Sequence, residues 1–129
     1  MKFQDFYSEL GKLLYAIAKA DGRVGEKEYD SLKTIVKEEL LALEDSRDQY
    51  GTDNAYYTEI EFEFLEQNFG DAQNAFESFI DFLDTHRSAF SPGLKLLTTR
   101  IAERLAKSEY GINQKEKKYL EKLFEKMNA

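Results

Sequence analysis

The chain has 129 residues, a net charge of −7, 42% apolar and 33% charged residues, one proline and no cysteine. That length and balance suit one compact domain with a sizeable core. They exclude disulfides, thiolate metal sites and cysteine nucleophiles, and they argue against nucleic acid or anionic membrane as partner, since both need basic surface.

Helical periodicity runs through the sequence. A first helix is predicted over about 3–20, with Phe3, Phe6, Leu10, Leu13, Leu14, Ile17 and Ala18 on one face. A second covers about 26–43 and turns Tyr29, Leu32, Ile35, Val36, Leu40 and Leu43 to one side. Residues 44–57 lack a period and carry Gly51, Asp53 and Asn54, so a loop is expected. A third helix begins near Thr58, where Thr58 and Glu61 have the spacing of a capping box. Residues 59–64 alternate acid and apolar, which also suits a strand. Helix is preferred because a lone strand has nothing to pair with. Asp71 is the expected N-cap of a fourth helix, whose apolar stripe is Ala72, Ala75, Phe76, Phe79, Ile80 and Leu83. Ser91 followed by Pro92 caps a fifth, running to about Lys107. A sixth extends from Gln114 to about Met127. Nowhere is there an apolar run long enough to cross a bilayer.

Charge is unevenly spread. Residues 44–86 hold twelve of the 25 acids and a single base, Arg47. An acidic, aromatic-rich middle (44–91) therefore separates two arms, 3–43 and 92–127. It is read either as a solvated helical surface or as an attractor for cations or a basic partner protein.

The arms repeat each other. An offset of 88 pairs Ala18 with Ala106, Lys19 with Lys107, Lys27 with Lys115, Glu28 with Glu116 and Leu32 with Leu120. Self-similarity of this kind marks a duplicated supersecondary unit, here helix, acidic turn, helix. The expected fold is all-α: a single-domain bundle of about six helices built from two pseudo-repeated hairpins.

The repeated turn carries the candidate chemistry. Gly25 and Asn113 are its expected N-caps. Glu28 and Glu116 follow at the third helical position, from which a carboxylate reaches back to the cap amide. Asp21, Gly22, Val24 and Glu28 mimic the end of a calcium EF-hand loop. Such a loop needs oxygen ligands at its first and third positions, here Ile17 and Lys19, and Leu105 and Lys107 in the second copy. An EF-hand is excluded. A looser site of Asp21, Glu28, Glu109 and Glu116 would suit Ca, Mg or Mn if the hairpins pack about a pseudo-twofold. Capping alone explains the same spacing, with Asp21 and Glu109 ending helices in solvent.

The pattern formed by Ala18, Ala20, Asp21, Gly22, Val24 and Glu28 resembles the tellurite-resistance TerB-like family, which also occurs as a module in some membrane-anchored DnaJ-type co-chaperones. In the second copy Ser108, Glu109 and Tyr110 replace Ala-Asp-Gly. The resemblance implies a duplicated helical fold, a link to tellurite and other stress responses, and metal-binding acids at Asp21, Glu28 and Glu116, with Glu109 matching only as another acid.

No enzyme is expected. The one histidine, His86, falls near the end of the fourth helix, where the helix dipole favours its protonated form. No Glu-x-x-His or Gly-rich phosphate motif is present. The opening residues lack the basic start and apolar stretch of a signal peptide, so a cytoplasmic location is expected. The expected function is a non-catalytic stress-response binding module that takes a divalent metal weakly. The alternative is a protein–protein scaffold that uses the acidic middle and no metal.

Overall fold

A computed structural model describes residues 1–41, 53–108 and 111–129. Among them are six α-helices and no strand pairing into a sheet: α1 (Phe3–Lys19), α2 (Glu26–Ile35), α3 (Tyr57–Gln67), α4 (Ala72–Thr85), α5 (Pro92–Ala106) and α6 (Gln114–Met127). The all-α bundle expected from periodicity is what forms, and 59–64 is helical. No described helix is long and apolar enough to cross a membrane.

α1 is the axle of the bundle. It packs against α3, α4, α5 and α6. Every residue from Leu13 to Ala18 is buried, so the helix is enclosed well beyond one apolar stripe. Tyr7 and Tyr15 are therefore core residues, although the periodic reading passed over both. Tyr15 keeps its hydroxyl satisfied by donating to the Gly70 carbonyl at 2.7 Å. Phe3, at the mouth of the bundle, is 40% exposed.

α3 sits unusually close to α1. A Cβ placed on Gly11 would come within 2.5 Å of the Thr58 carbonyl oxygen and 3.0 Å of the Glu61 Cβ. Only glycine admits that approach of two backbones. Thr58 is accordingly not the N-cap expected of it. The helix starts at Tyr57 with Tyr56 before it, led in by a short 3₁₀ turn over Asn54–Tyr56. The Thr58 side chain is buried against α1 and donates to the Tyr7 carbonyl at 2.9 Å. A hydroxyl engaged across the helix–helix contact cannot also close a capping box with Glu61.

The other caps form. Asp71 accepts from the Asn74 amide at 2.9 Å, and Ser91 accepts from the Leu94 amide at 3.1 Å with Pro92 opening α5. Each such cap contributes about 1 kcal/mol.

α2 keeps regular α geometry to Ile35 and then continues in a wider form. At Val36–Leu40 its backbone widens to a π turn, with the Leu41 amide bonded to the Val36 carbonyl at 2.9 Å. The consecutive acids of this turn both reach α5. Glu39 pairs with Arg100 at 3.0 Å and Arg104 at 3.1 Å, while Glu38 pairs with Arg104 at 2.7 Å. The network ties one arm to the other. The tail of the second predicted helix, with Leu43, and most of the predicted loop lie outside the described residues.

The end of α3 is built against convention. Gly70 N–H bonds to the Leu65 carbonyl at 2.8 Å and Phe69 N–H to the Glu66 carbonyl at 3.5 Å, the pattern of a helix-ending Schellman motif. The left-handed position of that motif usually holds glycine. Here it holds Phe69, with φ of 53°.

Candidate functional site

Both repeated turns need a left-handed residue to reverse direction, and both use glycine for it: Gly22 (φ 107°) and Gly111 (φ 80°). Three residues after Gly22 and two after Gly111, each copy enters its second helix through a cap. In the second copy the capping box is complete. Asn113 Oδ1 accepts from the Glu116 amide at 2.8 Å, and the Glu116 carboxylate accepts from the Asn113 amide at 3.1 Å. In the first copy only the returning half exists, because glycine has no side chain. There Glu28 Oε1 accepts from the Gly25 amide at 3.1 Å.

Packing the arms together brings the two turns face to face. Glu28 is 4% exposed and Glu116 is 3% exposed, and the two carboxyl groups lie within hydrogen-bonding reach of each other. They line one cavity of about 290 Å³ together with Asp21, Arg23, Gly25, Gly111, Ile112 and Asn113. Asp21 stands exposed at the rim. Its Oδ2 accepts from Asn113 Nδ2 at 3.4 Å, across the interface between the copies, and its Oδ1 accepts from the Arg23 amide at 3.4 Å. The expected meeting of the acids therefore holds for Asp21, Glu28 and Glu116. Glu109 lies outside the described residues.

The electrostatics follow from this geometry. Glu28 Oε1 is engaged by the cap, whereas Oε2 is buried and has no donor while both carboxyls are ionised. Two carboxylates cannot bond to each other unless one carries a proton. Burial first, and then the hydrogen bond to Glu116, push the Glu28 carboxyl up from 4.5 to about 8. The Gly25 amide pulls it back, and the negative charges of Glu116 and Asp21 push it further up. At neutral pH the pair thus retains a proton that ordinary glutamates would have lost.

A cation could replace that proton. Among the described residues, however, no group of three or more acids, histidines or cysteines is placed to hold a metal ion. What the turns offer is two carboxylates, with a third acid at the rim. The cavity also has a positive occupant of its own wall, Arg23, which the sequence reading did not single out. Ile112, just before the second cap, is partly exposed along the cavity. His86 ends α4 with its ring 4.5 Å from that of Phe82. No family model matches the chain, and neither a curated protein nor a solved structure matches it.

Proposed function

We propose that this chain is a non-catalytic, TerB-like stress-response module whose paired turns bind a divalent cation weakly. One observation carries the cation reading: a buried Glu28 oxygen, left without a donor once the pair ionises, lies beside a second buried carboxyl in a cavity with an acidic rim. A hard cation such as Ca, Mg or Mn takes oxygen ligands and retains water where the protein supplies few. Glu28 and Glu116 would hold it, with Asp21 attracting it from the rim. Only two buried ligands, opposed by Arg23, make the site a weak one. The family part of the reading is supported by the Ala18–Glu28 pattern and by the duplicated hairpin.

The test is a melting-temperature scan with millimolar calcium, magnesium and manganese. A ligand that binds only the folded chain raises the midpoint. The expected result is a rise at pH 8 that Asp21→Asn combined with Glu28→Gln abolishes. No rise with any of the three ions, or an equal rise in the double variant, overturns the cation reading.

A second reading, a scaffold that uses the acidic middle, draws on the acids of α3, three partly buried and Glu66 exposed. It requires capture of a basic partner that salt weakens and a chelator leaves unchanged.

A further inference from the structure

α3 has one face on α1 and another in solvent. Thr58 and Phe62 are fully buried on the inner side. Tyr56, Ile60 and Phe64 follow one another at four-residue spacing, so they fall on one side of the helix, and all three are exposed. Phe64, at 58% exposure, and Ile60, at 50%, are not surface residues by default of space, since Phe62 two positions away found a place in the core.

The helix ends on Phe69, which is 87% exposed. A bulky ring in a left-handed conformation is disfavoured by sterics, and here no burial compensates for it. The helix-ending motif accounts for the left-handed backbone but not for an exposed aromatic on it, and such a residue choice points toward function.

The border of this stripe is acidic. Glu59 and Glu63 flank it on one side and Glu61 on the other, with Glu66 in the last turn. From residue 48 to residue 86 there is no Lys or Arg. The nearby base is Lys33 of α2, whose amine stands over the Tyr29 ring and whose charge acts on Glu59. Tyr29 donates to Glu63. Glu61 and Glu66 add further negative charge, so the surface combines apolar anchors with an acidic border.

We propose that the outer face of α3, with Phe69 at its end, docks an amphipathic helical segment of a partner protein that presents apolar side chains between lysines and arginines. Charge complementarity selects that occupant: a basic rim meets Glu59, Glu61 and Glu63 while apolar side chains cover Ile60, Phe64 and Phe69. This rests on the scaffold reading of the acidic middle and is independent of the cation at the paired turns.

The experiment uses the full chain and a synthetic helical peptide with leucine on one face and lysine on the other, followed by fluorescence anisotropy. Two controls replace the leucines by serine or the lysines by glutamate. Saturable binding of the leucine–lysine peptide is expected, weakened by about tenfold or more in each control and in Ile60→Ser with Phe64→Ser. Phe69→Gly is the second variant. It should weaken binding while raising the melting temperature, which a folding defect cannot do. Chelator, and Glu28→Gln with Glu116→Gln, should leave peptide affinity unchanged, separating this surface from the cation site. Equal binding of the serine peptide, or indifference to both variants, overturns the proposal. So does sedimentation showing self-association that Ile60→Ser with Phe64→Ser abolishes, because the occupant is then a second copy of the chain.

Discussion

At the paired turns two glutamates are almost wholly buried and hold a proton at neutral pH; on α3 Glu59, Glu61 and Glu63 are only partly buried and Glu66 is exposed. The sequence shows the opposite emphasis. It concentrates acids in the middle and places isolated ones at the turns. The contrast teaches that charge density and electrostatic consequence are separate quantities. Four acids along a helix that keeps one side in water are largely screened by water and salt, whereas two acids removed from water perturb each other strongly.

The largest expected effect tests how α3 is held. Gly11→Ala places a methyl against the Thr58 carbonyl, a backbone atom that cannot swing aside. The helices must separate, at a cost of roughly 2–3 kcal/mol, measured by urea unfolding. An unchanged stability would contradict the close approach of α1 and α3.

Next comes the pH dependence of the turns. The folded Glu28 carboxyl binds its proton more tightly than the unfolded one. The folded state is therefore least penalised below pH 4.5, where both states are protonated. As pH rises toward about 8 the unfolded chain gains by ionising while the folded chain resists, so this contribution is progressively lost, and it levels off above that. Glu28→Gln should flatten the decline between those limits, because its amide donates to Glu116 without a charge. A variant that follows the parent curve across the same range would count against the buried pair.

Two smaller effects sharpen the contrast. Phe69→Gly relieves a left-handed aromatic and should stabilise the chain by about 1 kcal/mol; a loss of stability would mean the ring supports the fold. Within the repeated turns, Asn113→Ala should cost about 1 kcal/mol and Asn113→Gly only a few tenths, since the first copy already uses glycine there. Equal losses would show that the Asn113 side chain acts other than as a cap.

Much of the fold was legible in the residues. Period, caps and the 88-residue offset located the helices, and Asp71, Ser91, Gly25 and Asn113 cap where expected. Thr58 failed because a hydroxyl that suits a cap equally suits a carbonyl on a neighbouring helix, and only the crossing at Gly11 decides between them. The encirclement of α1 was hidden for a similar reason: Tyr7 and Tyr15 count as amphipathic until the number of neighbouring helices is known. At the site, the meeting of Glu28 with Glu116 was legible from the repeat. The inclusion of Arg23 in the cavity wall was not, because an exposed arginine in a turn carries no pattern of its own.

The shared proton is the point on which this account turns, and carboxyl carbon NMR reads it directly. Titration of the side-chain carbons of Glu28 and Glu116 should show one step of the pair near pH 8, shifted to lower pH when calcium is added and displaces the proton. If both carbons titrate in the ordinary glutamate range, with or without calcium, the two carboxyl groups are not buried together and the account fails.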